Sequence, residues 1–159
     1  VMLYLAGRKW LLASDHILEF VTPNPCLEAP LVGEPEKPRS LLDYRASLAR
    51  LKGLQPSWIL PGHGNNFHNL PRRIEQIERH LDRRSRRILA LLGEPMNRQQ
   101  LAIALFGRFG GWDAYLTLSE IAGHLEWLEH EGRAGRRSRD GVELYRQLAP
   151  AEETLPNDE

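Results

Sequence analysis

The stretch SWILPGHGNN, residues 57–66, places a histidine between two glycines at the end of a short apolar run. The run SWIL predicts a short β-strand, because it is rich in apolar residues and is bounded by Pro56 and Pro61. The flanking glycines relax the backbone and reduce crowding around the imidazole ring, so His63 can be oriented freely. In α/β domains, functional side chains lie on loops that follow strands. The stretch therefore predicts an α/β layout with His63 at a candidate site.

The residues before this stretch complete the α/β pattern. The runs VMLYL (1–5) and WLLAS (10–14), separated by the turn-like AGRK, predict two paired strands. Residues 21–39 carry five of the eleven prolines and predict an irregular loop. Residues 40–54 predict an amphipathic helix, with Ser40 as its N-cap and apolar residues three or four apart.

Asp15 ends the second predicted strand, much as His63 follows the later one. We expect the two residues on neighbouring loops at one edge of the sheet, so that both side chains project into the same cleft. A carboxylate and an imidazole together suit zinc, iron or manganese. A second interpretation is that both side chains only cap turns or bond to the backbone. Zinc normally takes three or four protein ligands, and His68, His80 and His124 do not obviously converge on this pair.

The second half of the chain predicts helices followed by a β-hairpin. Apolar residues recur at helical spacing from Leu70 until Gly93 and Pro95 end the pattern. The runs NRQQLAIALFG and LTLSEIAGHLEWLEHEG predict further helices, and two short strands surround an Asp140–Gly141 turn. Helices followed by a basic hairpin are typical of a winged-helix domain. The aromatic residues expected in its core are Trp112, Tyr115, Trp127 and Tyr145.

The composition argues against several classes of function. The 159 residues carry 21 Lys and Arg against 21 Asp and Glu, so no net charge favours nucleic acid or a membrane surface as a partner. The one cysteine, Cys26, excludes a disulfide framework and favours a cytoplasmic location. Gly7, Arg8 and Lys9 interrupt the apolar opening well short of the roughly 18 residues that a membrane-spanning helix needs.

A family resemblance is carried by four stretches in a fixed order, namely LYLAGRKWLLASDHILEFVTPNP, DYRASLARL, ILPGHG and IERHLDRRSRRILALL. With the hairpin that follows, they resemble the C-terminal part of a metallo-β-lactamase-fold hydrolase that has an appended winged-helix domain. The resemblance implies an α+β chain. Residues 1–69 would be the C-terminal half of an αββα catalytic domain, residues 70–148 a winged-helix-like domain, and residues 149–159 a disordered tail.

The resemblance also implies a site for two divalent metal ions, with zinc as the first choice and iron or manganese as alternatives. Asp15 matches the aspartate that bridges the two ions, and His63 matches the histidine that binds the second ion. His16 and His80 are expected to line the substrate pocket. No catalytic residue is expected beyond the metal ligands.

The same resemblance implies that the chain is an incomplete fragment. The family's HxHxDH motif supplies most of the metal ligands and does not occur in this sequence, so we expect it in an N-terminal portion. Ser14 replaces the usual glycine before the aspartate, and NNFHN after Gly64 is not the usual continuation, so the substrate class stays open. We expect the fragment alone to hold no stoichiometric metal, to hydrolyse nothing and to self-associate, with a homo-oligomer as one outcome.

The activity implied for the intact parent is hydrolysis of an ester, thioester or similar small substrate by a metal-bridged hydroxide. Two alternatives stay open. One is a nuclease of the same fold, which the arginine-rich segment 72–98 permits. The other is a non-catalytic winged-helix module that binds nucleic acid. Acidic residues on the candidate recognition helix argue against a nucleic-acid partner, since they repel phosphate; they are Glu120, Glu126, Glu129 and Glu131.

Overall fold

The first half of the chain forms a three-stranded sheet. The computed structural model describes residues 1–30, 32–33 and 37–149. The strands are β1 (Leu3–Leu5), β2 (Trp10–Ser14) and β3 (Trp58–Pro61), in the order β1-β2-β3. β1 and β2 form the predicted antiparallel hairpin, and β3 lies parallel to β2. Two parallel strands need a crossover connection between them, and this connection usually contains a helix. The prediction of an α/β layout is therefore confirmed.

That crossover contains helix α1 (Ser40–Leu51), which covers one face of the sheet. Leu41 and Leu48 of the helix are fully buried in one cluster with Leu11 and Ile59 of the strands. The amphipathic pattern of the sequence therefore predicted the buried side of this helix correctly.

The proline-rich loop before α1 is irregular in its described residues, as predicted. The prediction that Ser40 is the N-cap is wrong, because Arg39 precedes the helix and Ser40 is its first residue. The Ser40 hydroxyl donates instead to the carbonyl of Cys26 at 2.7 Å. This hydrogen bond ties the loop to the helix, which is why the hydroxyl does not cap the helix.

Helix α2 (Leu70–Leu91) is about 33 Å long at 1.5 Å per residue. The side chain of Asn69 caps it by accepting a hydrogen bond from the backbone of Arg72 at 3.2 Å. Its first half is buried in the cluster of the sheet through Leu70, Ile74, Ile77 and Leu81. Its second half belongs to a second cluster through Ile88. The boundary at residue 70 stays a prediction.

The second cluster lies among α2, two further helices and a hairpin. These elements are α3 (Arg98–Phe106), α4 (Trp112–His130), β4 (Ala134–Arg139) and β5 (Val142–Gln147). The predicted antiparallel hairpin is confirmed, with Asp140 and Gly141 at positive φ in the turn. Met96, just before α3, exchanges two backbone hydrogen bonds with Tyr145, at 2.8 and 2.9 Å. Tyr145 is buried in this cluster, as predicted.

Two aromatic residues predicted for the core are instead at the surface. Trp112 is 73% exposed and Tyr115 is 38% exposed. α4 begins at Trp112, several residues earlier than its sequence pattern indicated, so both rings lie on its first turn and contact each other. The Tyr115 hydroxyl donates to the carbonyl of Leu27 at 2.7 Å. Trp127 is partly buried, and it packs against the cluster of the sheet.

The sheet face opposite α1 is apolar, and part of it is exposed. Strand register places Leu3 beside Leu12, and Trp10 beside Trp58, on this face. Leu3 is 54% exposed, and Leu5, Leu12 and Trp58 are also exposed. We call the surface formed by Leu3, Leu5, Leu12 and Trp58 the open sheet face.

No helix within the described ranges is long and apolar enough to cross a membrane. Most of the tail predicted to be disordered, residues 150–159, lies outside the described residues.

Candidate functional site

The structure brings Asp15 and His63 together. Asp15 follows β2 and His63 follows β3, and these strands are parallel neighbours, so both loops leave the same edge of the sheet. Nε2 of His63 lies 3.4 Å from Oδ1 of Asp15. Both side chains are exposed, at 63% for Asp15 and 78% for His63. The pair is thus accessible to a ligand from solvent.

Gly62 is what allows the two loops to approach so closely. Its backbone N–H donates to the carbonyl of Ser14 at 2.9 Å. A Cβ atom at this position would overlap Oδ1 of Asp15 and lie 3.2 Å from the carbonyl carbon of Ser14. Gly64, on the other side of His63, has no such neighbour but adopts a φ of 83°. The two glycines therefore have different roles, which the sequence alone did not separate.

The turn that presents Asp15 is tight. The N–H of His16 donates to the carbonyl of Ala13 at 3.1 Å, and Ser14 between them has a φ of 49°. The pairing of β2 with β3 shifts register between Leu12 and Ser14. Such a bulge at the end of a strand changes the direction of the side chains that follow it.

The side chain of His16 is held by α1. Its Nε2 lies 2.5 Å from Oγ of Ser47, and its ring meets the Tyr44 ring edge-on at 4.8 Å. The Ser47 hydroxyl donates its one hydrogen to the carbonyl of Tyr44 at 2.7 Å. Nε2 of His16 must therefore carry the proton and donate to Ser47, which leaves Nδ1 as an acceptor. Burial lowers the pKa of His16, in agreement with a neutral ring.

An open groove of about 480 Å³ begins at Asp15. Asp15, His16 and Tyr44 line one part of it, and the proline-rich loop lines the other part through Pro23 and Pro25. The groove lies between the end of β2 and the first turn of α1. His16 thus lines a groove next to Asp15, and its role in binding substrate stays a prediction.

His80 is placed elsewhere. It lies in the middle of α2 and is not among the residues that line the groove. Burial and the nearby charges of Arg84, Arg83 and Arg73 lower the pKa of His80. The groove beside Asp15 thus does not include His80, and its assignment as a pocket residue stays a prediction.

The donor set fits a divalent metal in kind but not in number. Asp15 offers a carboxylate and His63 an imidazole, which are common ligands of zinc, iron and manganese. Within the described ranges, however, no group of three or more His, Cys, Asp or Glu side chains converges as a metal site would require. Nδ1 of His68 lies 2.5 Å from the carbonyl of Ser57, and its ring packs on Trp58. The described residues alone do not complete a metal site.

Arg73 is a functional candidate that the sequence interpretation missed. It was grouped with the other arginines of segment 72–98, yet it is only 7% exposed. Its guanidinium donates to the carbonyls of Leu18 and Val21, at 2.6 and 2.8 Å. Position 73 lies on the same helical stripe as Leu70 and Ile77, and this spacing could have predicted its burial.

Comparisons with known proteins identify relatives of the chain. No protein-family model matches this sequence. Over 127 residues it is 36% identical to a Bacillus subtilis (strain 168) protein named "Probable metallo-hydrolase YqjP"; the match covers 79% of this chain and 39% of the relative. A crystal structure of a metallo-β-lactamase family protein from Thermus thermophilus matches with a TM-score of 0.75 and 31% identity. A β-lactamase domain protein from Burkholderia ambifaria matches with a TM-score of 0.75 and 26% identity.

The chain spans about two fifths of the length of these relatives. It covers 39% of the Bacillus protein and 44% of each of the two crystallised chains, while each crystal structure covers 92% of this chain. The homology lies in the C-terminal part of the relatives. The mixed α and β structure described above matches metallo-β-lactamase-fold structures, and the chain is homologous to proteins of the metallo-hydrolase and metallo-β-lactamase family.

Proposed function

We propose that this chain is part of a metal-dependent hydrolase in which Asp15 and His63 bind metal. The observation that carries the proposal is the 3.4 Å approach of His63 Nε2 to Asp15 Oδ1, at the ends of two parallel neighbouring strands. Homology to metallo-hydrolases supports it. The pair is exposed and lies beside a groove at the carboxyl ends of the strands, which is the position where ligands bind in α/β domains.

The proposed cofactor is a pair of divalent ions, most simply zinc, with iron or manganese as alternatives. Since Asp15 and His63 provide only two donors, the other ligands must come from outside the described residues. When bound, such ions activate water for attack and stabilise negative charge that develops on an oxygen. The contribution of this chain is to hold its carboxylate and imidazole at a fixed separation.

The proposed substrate is an ester, a thioester or a similar small molecule that occupies the groove beside Asp15. We propose that Nδ1 of His16 accepts a hydrogen bond from the substrate, because His16 lines the groove and its Nε2 is already used by Ser47. The apolar rings of Pro23 and Pro25 offer a surface for an uncharged part of the substrate. The groove thus supplies orientation, while the chemistry occurs at the metal-binding pair.

Residues 70–148 are proposed to form a winged-helix-like domain. The order α2, Met96 strand contact, α3, α4 and the β4–β5 hairpin supports this assignment, since Met96 pairs with Tyr145 as a third short strand would. We propose that this domain shapes the substrate groove rather than binding nucleic acid.

Contacts from α4 to the groove loop support that role. The Asn24 side chain donates to the carbonyl of Leu116 at 3.0 Å, and the N–H of Leu27 donates to the Ser119 hydroxyl at 3.1 Å. The helix also approaches the loop closely at Gly123 of α4, where a Cβ atom would lie 3.0 Å from the Pro25 ring. The helix therefore fixes the wall of the groove that lies opposite α1.

The test uses the intact hydrolase of which this chain is proposed to be a part. Asp15→Asn and His63→Gln should each lower the metal content of the purified protein and abolish hydrolysis of thioester and ester substrates. His130→Gln, a change of the same kind at the far end of α4, is the matched control and should leave both unchanged. Full metal content in both site variants would contradict the assignment of these ligands.

A further inference from the structure

The turn that carries Asp15 is strained and depends on its surroundings. Ser14 has a φ of 49°, in the left-handed region that residues other than glycine avoid. Two hydrogen bonds define the turn, from the N–H of His16 to Ala13 and from the N–H of Gly62 to Ser14. A conformation of this kind persists only where the rest of the fold over-determines it. The question is which residues do so.

Helix α1 fixes the residue that follows Asp15. The Tyr44 hydroxyl donates to the carbonyl of His16 at 3.0 Å, and the Ser47 hydroxyl meets the His16 ring. The next residue, Ile17, is fully buried in the cluster of the sheet. Helix α1 thus holds the start of the segment 16–21, which follows Asp15.

Helix α2 fixes the far end of the same segment through Arg73. Nε donates to the carbonyl of Leu18 at 2.6 Å, and Nη2 donates to the carbonyl of Val21 at 2.8 Å. Nη1 lies 3.3 Å from the side-chain oxygen of Gln76, one turn further along the helix. One planar guanidinium thereby joins two carbonyls that lie three residues apart.

Arg73 is a costly residue to bury for packing alone. It is 7% exposed, and no carboxylate in the described part of the chain forms an ion pair with it. Burying a charged group without a counter-ion costs stability unless hydrogen bonds satisfy it. The planar fork of the arginine side chain donates to both carbonyls in one fixed geometry, whereas a lysine ammonium is a compact charge on a flexible stem without this fork.

We propose that Arg73 is a positioning residue for Asp15. Arg73 fixes residues 18–21, and β2 fixes the residues before Asp15. With both ends held, the strained turn at Ser14 cannot relax, and the Asp15 carboxylate stays beside His63. The inference rests on the proposed function only in giving Asp15 the role of a metal ligand. The positioning itself is a property of this chain and can be measured without metal.

The experiment is amide hydrogen exchange by NMR on the 159-residue chain. Arg73→Met and Arg73→Lys should each speed the exchange of the His16 and Gly62 amides about tenfold, because local opening of the turn becomes easier. The amides of Ile77 in α2 should change by much less. Arg72→Met, an exposed arginine at the preceding position, is the matched control and should change none of these rates.

The expected pattern separates positioning from general stabilisation. Equal acceleration at His16, Gly62 and Ile77 would mean that Arg73 only stabilises the fold, and would overturn the proposal. If the Arg73 variants do not fold, Tyr44→Phe removes a single hydroxyl from the other end of the segment and should accelerate the same two amides locally. No local effect in that variant would also overturn it. Metal loss in Asp15→Asn tests the proposed function separately.

Discussion

The Oγ of Ser85 lies 2.9 Å from Nδ1 of His124 inside the contact between α2 and α4. Both residues are buried, and burial together with the charges of Arg45 and Arg84 lowers the pKa of His124 to about 3. The folded chain therefore holds this imidazole neutral at all mildly acidic pH values. Protonation of His124 is possible at such pH values only when the contact between the helices opens.

The first prediction follows from this depressed pKa. The unfolded state binds a proton at His124 below about pH 6.5, whereas the folded state does not until about pH 3. The contribution of neutral His124 to the free energy of unfolding is therefore fully present above about pH 6.5. It falls as the pH is lowered from about 6.5 toward about 3, by at most about 1.4 kcal/mol per pH unit. Urea unfolding of the wild type and of His124→Asn, from pH 7.5 to pH 4.5, measures the effect.

In His124→Asn the free energy of unfolding should depend less steeply on pH. The variant should be less stable than the wild type at pH 7.5, and the gap should narrow as the pH falls. His130→Gln removes a histidine from the end of the same helix and serves as the control. An unchanged pH dependence in His124→Asn would show that other groups cause the acid sensitivity; His16 and His80, whose pKa values are also lowered, would be the first to consider.

The second prediction concerns Gly62. A methyl group in Gly62→Ala would overlap the Asp15 carboxylate, which can rotate away, and would crowd the backbone of Ser14. We expect a modest loss of stability, on the order of 1 kcal/mol, together with a displaced Asp15 side chain. Side-chain NMR of Asp15 and urea unfolding measure the two effects.

Gly64→Ala is the matched control for Gly62→Ala. Its Cβ meets open space, but its φ of 83° strains any other residue. This variant should lose stability without a shift in the resonances of Asp15. Equal shifts at Asp15 in both variants would contradict the role given to Gly62.

The third prediction is that residues 70–148 contribute only weak, sequence-independent binding to duplex DNA at physiological salt. Glu120 and Glu129 of α4 are engaged in ion pairs, with Arg84 at 2.7 Å and with Arg136 at 3.3 Å. These pairs also occupy basic groups that phosphate would need. A fluorescence titration of the 159-residue chain should give a dissociation constant no tighter than about 10⁻⁶ M. Sub-micromolar, sequence-selective binding would prove this wrong.

The fourth prediction concerns the chain as it stands. Because Asp15 and His63 are only two donors, the purified 159-residue chain should retain no stoichiometric zinc, iron or manganese. Elemental analysis after gel filtration measures this. One or more tightly held ions per chain would mean that further ligands exist within it.

The same chain should self-associate through the open sheet face. Apolar side chains exposed together on one face seek a partner, so the apparent mass in sedimentation should rise with concentration. Leu12→Lys, at the centre of that face, should shift the chain toward the monomer. Ile103→Lys replaces an equally apolar exposed residue on α3, outside that face, and should not. Equal effects would place the contact elsewhere.

The elements of this fold were largely predictable because their patterns are local. Apolar runs bounded by turn residues and prolines predicted the hairpin and β3, and helical spacing predicted α1 and α2. The parallel pairing of β2 with β3 explains why Asp15 and His63 meet. The errors arise where tertiary contacts decide. Ser40 lost its capping role to the carbonyl of Cys26, and Trp112 starts a helix at the surface instead of entering the core.

The support of the candidate site was harder to predict than the site itself. Arg73 lies in the arginine-rich segment 72–98, and its residue type alone does not distinguish it from the exposed arginines around it. Its role depends on where the carbonyls of Leu18 and Val21 lie, and the course of an irregular loop is not encoded in any periodic pattern. A single sequence gives little indication of which side chains donate hydrogen bonds to the backbone of a distant segment.

Helix α2 contributes buried residues to both hydrophobic clusters, with Ile77 in the first and Ile88 in the second. About three turns of continuous helix separate these two positions. Loss of either cluster would remove the packing of one half of the helix and would destabilise the other half. The described chain should therefore unfold in one cooperative transition, although its sequence predicts two domains. A substitution that destabilises the β4–β5 hairpin should also destabilise the turn at Asp15, because both depend on α2.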